Sequence, residues 1–567
     1  LLFYGKPGFF NLQGKEQAMH RISLLLLLLV ISGQSYAIKT EVNEEVHKKT
    51  HSKLTSLVNQ LPKTKLRDMA TLIEQISQTK QPLTRQVLQF MIDGELYYLK
   101  ANKQLVRAQD AANRLYKLTD LFTGQPLPDV KKSKLSKIRT NNRLRSALRS
   151  MIAKIDLTDE NKHVRLQAVK QLLSSPGKES SVIITELIGT EKDQDVQALM
   201  ATTLSLRQLK SGDHSEKIEA LQQLSGSLEP TVKNEVVRLF ANLPEKAPSA
   251  EQQILKDALS NTLEEIESRA SFYSLLETVF FGLSLGSVLL LAAIGLAITF
   301  GVMGVINMAH GEMIMLGAYT TYVVQLAFPS MIEYSLLIAV PAAFIVSGSV
   351  GVIIERGVIR FLKGRPLETL LATFGISLIL QQLVRTIFSP LNRQVISPEW
   401  MSGSWQINPI FSLTFNRLYI IIFSIFVFIS LLMILKKTSL GLHVRAVSQN
   451  RDMARALSIK SDWVDAITFG LGSGIAGVAG VVLSQLTNVG PNLGQAYIID
   501  SFLVVVFGGV GNLWGTLVAA MSLGLTNKFL EPVTGTVLAK IIVLVGLVLF
   551  IQKRPKGLFP QKGRSTD

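Results

Sequence analysis

Hydrophobic and polar positions divide this chain into two regimes. From about residue 271 onward, long apolar runs occupy 274–300, 302–327, 334–354, 367–389, 417–435, 463–487, 497–527 and 533–551. Roughly 20 apolar residues cover the ~30 Å of bilayer hydrocarbon as a helix. Residues 271–553 therefore read as a polytopic helical membrane domain of about eight segments. Residues 38–270 are polar, with apolar positions at helical spacing, as in Leu166, Val169, Leu172 and Leu173. Pro128, Pro176-Gly177, Gly212, Pro230 and Pro244 punctuate them. The predicted fold class is all-α. Similar openings recur at 163–173, 195–206 and 231–243, a loose repeat that suggests a HEAT-like array of stacked helical hairpins.

One apolar run carries polar residues near its centre. In GVMGVINMAHGEMIMLGAY (301–319), Asn307, His310 and Glu312 are accompanied by Gly301, Gly304 and Gly311. An ionisable group inside a membrane segment is costly and usually faces a cavity or a partner. Two readings stay open: a short polar connection between ordinary helices, or a broken segment at a transport path. Loop charges help with topology. If the N-terminal region is outside, the first cytoplasmic loop carries Arg356, Arg360, Lys363 and Arg365, and the next is the basic loop 436–462. Eight plain crossings would leave the basic tail 554–567 on the wrong side. The run 497–527 resolves this if it breaks at Gly508, Gly509 and Gly511, either re-entering or making two short passes. On this count the Asn307–Glu312 group lies close to the cytoplasmic side, as a gate or a helix-packing hinge.

The net charge of +17 is spread over both regimes without an aromatic-interleaved basic motif, which argues against nucleic-acid binding. MHRISLLLLLLVISGQSYA (19–37) has the basic start, short apolar core and small-x-small end of a secretory signal peptide, and residues 1–18 read as lying upstream of the biological start. Residues 38–270 are accordingly expected outside the cytoplasm, in a bacterial periplasm. With no cysteine, such a domain has no disulfides. His163 and His214 read as solvated positions, and the basic run Lys131–Arg149 as a solvated helix face. GLGSGIAGVAG (470–480) offers small residues for close helix packing in lipid.

The loop 436–462 is amphipathic, with Leu442, Ala446, Met453, Ala454 and Leu457 among Arg445, Arg451 and Arg455. It is either a positive-inside anchor or a helix that docks into another protein. Together with GLSLGSVLLLAAIGLAITFGVMGVINMAHGEMIMLGAY and FGGVGNLWGTLVAA (507–520), TSLGLHVRAVSQNRDMARALSIK (438–460) resembles the branched-chain amino-acid and urea family of ABC importer permeases over roughly 275–560. INMAHGEMIMLGAYTTYVVQ and the exported extension look most like its urea-importing members.

The resemblance implies an inner-membrane importer subunit acting with a second permease, two cytoplasmic ATPases and a periplasmic binding protein, surrounded by membrane lipid. It implies a coupling role for Gly441, Arg445, Ala446 and Asn450, while the polar and glycine breaks in the apolar runs themselves offer Asn307, His310, Glu312, Gly508, Gly509 and Gly511 as the path or gate. No GxxxxGK[ST] loop occurs, so ATP belongs to partner subunits; this chain is assigned no cofactor, metal or catalytic residue. Urea is the first expectation, with branched-chain amino acids or short amides as the alternative. A passive small-solute channel ranks lower. An intramembrane hydrolase using His310 and Glu312 is disfavoured, because residues two apart on a helix diverge and HExxH spacing is missing.

Overall fold

The computed structural model describes residues 53–79, 81–110, 115–174, 178–243 and 250–559. The signal-peptide reading and most of the C-terminal tail fall outside these residues. The chain forms two compact units, one up to residue 227 with 231–263, the other from 264 onward with 228–230.

After a helical stretch at 53–58, the described part of the first unit contains α1 (Met69–Ser77) and α2 (Pro82–Asp93). It then departs from the all-α expectation. Residues 96–110 and 115–137 form a five-stranded antiparallel sheet: β1 (Leu96–Leu99), β2 (Leu105–Asp110), β3 (Leu115–Asp120), β4 (Pro126–Lys131) and β5 (Leu135–Lys137), in the order β4-β3-β2-β1-β5. Tyr97, Val106, Ala108, Tyr116, Leu118 and Leu135 make a small separate core here. The alternation is legible in Val106-x-Ala108 and Tyr116-x-Leu118, but each strand is short and its outward positions carry Lys, Arg and Gln, as a helix surface does. The sheet also corrects the basic run Lys131–Arg149. Its first part is strand with one 3-10 turn at Lys132–Lys134, and only from Asn142 is it α-helical.

The helices α3 (Asn142–Leu157), α4 (Lys162–Ser174), α5 (Lys178–Ile188), α6 (Gln194–Ser211), α7 (His214–Leu224) and α8 (Pro230–Ala241) follow. The three similar sequence openings fall on α4, α6 and α8, alternate members of this run. His163 and His214 are exposed. Arg165 makes a two-pronged pair with Glu191, 2.9 Å at each prong, tying α4 to the α5–α6 turn.

The membrane unit is built from α9 (Ala250–Met303, entering from the first unit), α10 (His310–Ala327), α11 (Ser335–Gly357), α12 (Pro366–Phe388), α13 (Phe415–Lys437), two short helices α14 (Ser439–Gln449) and α15 (Arg451–Ala456), then α16 (Ser461–Ser484), α17 (Leu493–Gly508), α18 (Leu513–Thr534) and α19 (Thr536–Lys553). Six of the described helices are long and apolar enough to cross a membrane. The run 497–527 is two helices, α17 and α18, of 16 and 22 residues. Their junction spans Gly509 and Gly511, whose φ values of +100° and +78° suit glycine and end α17.

At the centre, α16 is almost wholly buried between α10, α11 and α9. Glycine makes this possible. A Cβ on Gly317 would lie 1.9 Å from the Gly477 carbonyl oxygen, and one on Gly295 would lie 2.2 Å from that of Gly472. The helix backbones thus touch directly, the small-residue packing expected of 470–480. On α12, Thr369, Thr373, Ser377 and Gln381 recur every fourth residue and are buried, while Leu367, Leu371, Leu378 and Ile379 are exposed. On a bilayer-spanning helix this pattern sends the polar stripe inward and leaves the apolar face to lipid.

Candidate functional site

The polar group sits at a true break in the helix. After Met303, residues 304–307 leave helical geometry, with Gly304 at φ +66°, and helix resumes at His310. Asn307 is buried and holds the turn before α10, its Oδ1 accepting from the Ala309 N–H at 3.0 Å. His310 is fully buried, and its Nε2 lies 2.9 Å from the Ala292 carbonyl oxygen. A carbonyl only accepts, so Nε2 carries the proton and Nδ1, which has no partner, does not. Glu312 is also buried. Its Oε1 accepts from Ser377 at 2.9 Å and Gln381 at 2.7 Å, on the polar stripe of α12.

The break changes the depth of this group. Ala292 lies eleven residues before the end of α9, Ser377 eleven into α12, and Gly472 eleven into α16. Ser347, whose Oγ donates to the Met313 carbonyl at 3.0 Å, lies ten before the end of α11. At 1.5 Å rise per residue, every partner stands about 16 Å from the same face of the bundle. The cytoplasmic-side placement from loop counting is therefore corrected: His310 and Glu312 lie near mid-depth. The counting assumed that helix ran on from residue 302. Instead the helix breaks after Met303, and the non-helical residues 304–307 and the turn at 308–309 lead the chain back to the bundle's interior before α10 begins.

A second set of site residues gathers on that face. A Cβ on Gly301 would meet the Cα of Gly511 at 2.5 Å, so the end of α9 abuts the α17–α18 junction. The chain after α19 returns to this junction. Leu558 N–H donates to the Phe507 carbonyl at 2.9 Å, Phe559 N–H to that of Gly508 at 3.2 Å, and Asn512 Nδ2 to that of Phe559 at 3.2 Å. A cavity of about 840 Å³ opens here, lined by Gly301, Val302, Lys436, Arg445, Gly511 and Asn512 among others. Asn307, His310 and Glu312 do not line it. The six path candidates thus form two places, a packed polar centre and a glycine junction beside a cavity.

The 436–462 loop is two capped helices. Thr438 and Asn450 cap α14 and α15, accepting from the N–H groups of Gly441 (3.3 Å) and Met453 (2.9 Å). Gly441 packs on the Leu435 backbone with no room for a Cβ, and Arg445 donates to the Leu435 carbonyl. Ala446 packs on the core beside Val444 and Val447. Leu442, Met453 and Leu457 remain exposed. Sequence reasoning missed the residue that anchors this loop. Asp465 in α16 has no exposed surface and receives Arg451 at 2.6 and 3.1 Å and Lys363 at 2.7 Å. An acid one turn inside an apolar helix, downstream of a basic loop, was the available signal. Among the described residues no cluster of His, Asp and Glu could hold a metal ion.

Comparison with known proteins places this arrangement. Residues 278–551 match the family described as "Branched-chain amino acid transport system / permease component". The chain is 30% identical over 297 residues to the high-affinity branched-chain amino acid transport system permease protein LivH of Salmonella typhimurium, covering 51% of this chain and 96% of that protein. It is 29% identical to BraD of Pseudomonas aeruginosa over 297 residues, 50% of this chain and 96% of BraD. The ribose import permease protein RbsC of Escherichia coli matches more narrowly, at 29% over 209 residues, 35% of this chain and 63% of RbsC. No solved structure matches.

Proposed function

We propose that this chain, which belongs to the family of permease components of branched-chain amino acid transport systems, is the membrane subunit of an ATP-driven importer for a branched-chain amino acid. The observation that carries the reading is its 30% identity to LivH across 96% of that protein's length. Transport work falls to this subunit and ATP hydrolysis to partners, two ATPases acting on a pair of permeases and fed by a binding protein. The loop helices α14 and α15 are the docking element for an ATPase. Leu442, Met453 and Leu457 face outward there, while Asp465 holds the element's base to α16. Movement of the loop reaches α10 through α16, because Gly477 and Gly317 share a backbone contact that transmits displacement rather than absorbing it. Glu312, pinned to α12, serves as a hinge in this scheme. The basic loops orient this face to the cytoplasm and leave the first unit in the periplasm, where it offers a surface to the binding protein.

Urea is the second reading, resting on the wording of residues 306–325 and on the presence of the first unit. Uptake into vesicles by the reconstituted complex separates them. ATP-dependent leucine, isoleucine or valine uptake requiring the binding protein supports the proposal. Urea uptake without amino-acid uptake replaces the substrate, and full flux without ATP overturns the importer.

A further inference from the structure

On the face opposite the loop helices, the membrane unit has a second cavity whose chemistry is unlike the rest of the bundle. It measures about 280 Å³ and is bounded by α9, α13, the residues after α16, and α17 to α19. Five charged side chains line it: Arg417, Asp500, Lys528, Glu531 and Lys540. Charges at the ends of membrane helices are ordinary one by one, and here five of them converge on one cavity.

The charges are unequally matched. Lys528 pairs with Glu531 one turn along α18, and Lys540 reaches Asp500 at 3.4 Å, a long contact made by a lysine that is 62% exposed. Arg417 is different. Among the described residues its guanidinium has an aromatic neighbour, lying over the Phe281 ring at 4.7 Å, and no carboxylate within ion-pair distance. Stacking leaves its N–H edge free, the edge that receives a carboxylate in two-pronged fashion. Two further polar groups border the cavity without partners: the hydroxyl of Ser284, a residue with no exposed surface, and the Asn527 side-chain carbonyl.

We infer that this cavity is a binding site for a free α-amino acid, whose carboxylate is held by Arg417 and whose ammonium displaces Lys540 from Asp500. Size agrees: a cavity of about 280 Å³ has room for a nine-heavy-atom amino acid. Charge agrees as well, since three cations and two carboxylates leave one positive charge to be met by a carboxylate. Asp500 is the carboxylate that can be freed, because its present partner is loosely held and largely solvated. Position fits the proposed direction of transport, on which this inference rests. Arg417 lies near the start of α13 and Lys540 near that of α19, so the site opens toward the face where substrate arrives.

The test is equilibrium binding of radiolabelled leucine to the full-length chain in lipid nanodiscs, without binding protein or ATP. Leucine is expected to bind and to be displaced by valine, while isovalerate, isoamylamine and urea each compete at least tenfold less well. R417M and D500N are each expected to weaken binding tenfold or more. R417K, which keeps the charge but loses the two-pronged edge, falls between, and retained binding by R417K shows that the fold survives at this position. No leucine binding by the parent chain, unchanged binding in both R417M and D500N, or urea competing as well as leucine overturns the site. Failure of the proposed function looks different. If the reconstituted complex imports urea and not leucine while Arg417-dependent leucine binding persists, the site stands and the importer's substrate is revised.

Discussion

Substituting Asp465 by asparagine tests how the loop helices are held. The carboxylate is wholly enclosed, accepts two hydrogen bonds from Arg451 at 2.6 and 3.1 Å and makes an ion pair with Lys363 at 2.7 Å. D465N removes the charge and leaves both cations facing a neutral amide whose NH2 points donor to donor. Breaking a buried pair by removing one partner costs about 3–5 kcal/mol. Two features place this case at the low end. Arg451 and Lys363 keep 28% and 27% of their side-chain surface in contact with solvent, and Lys363 retains Asp462 at 3.0 Å. The expected loss is about 3 kcal/mol, a factor of ~150 in the unfolding equilibrium. Reversible unfolding of the full chain in mixed micelles measures it, and hydrogen exchange localises it. Residues 451–456 should gain exchange while the centre of α16 does not. In a double-mutant cycle with R451M the coupling energy should exceed about 1 kcal/mol. A loss below ~1 kcal/mol, or additive mutations, would show that the network does not anchor the loop.

Three other outcomes follow from the same geometry. G317A drives a methyl to 1.9 Å from the Gly477 carbonyl oxygen and should cost about 2–3 kcal/mol, whereas G375A, whose methyl meets nothing within 4 Å, should be neutral; equal effects would remove the direct-contact account. E312Q should change stability by less than ~1 kcal/mol, while E312L should cost about 2 kcal/mol or more by leaving Ser377 and Gln381 donors unmet. If the stable E312Q chain loses uptake, the carboxylate is a gate rather than a hinge. In the first unit, burial pushes the Glu191 carboxyl up, but Arg165 and the N–H groups of Asp193 and Lys192 outweigh it and hold the group below its ordinary range. Its stabilising contribution is therefore complete above the unfolded carboxyl's ~4.3 and is lost as pH falls through the lower folded value. Protection of α4–α6 amides should decline in that acid window, and E191Q should flatten the decline.

Periodicity and composition carried much of this protein into view. Apolar runs long enough for a bilayer, the glycine breaks at 304 and 508–511, and the small residues of 470–480 are local features, and local sequence suffices to announce them. The four-residue polar stripe of α12 was equally readable once the helix was taken to face lipid on one side. The sheet of β1 to β5 was not, because strands this short alternate over two or three positions only and their solvent side looks like a helix surface. Depth and partnership belong to tertiary structure alone. Loop counting put Glu312 near the membrane face because it cannot see where the break after Met303 leaves the start of α10. Nothing near Glu312 in sequence names Ser377 or Gln381, 65 and 69 residues away. The charged cavity around Arg417 draws its walls from helices more than a hundred residues apart. A chain records which residues are polar; only packing decides which of them meet.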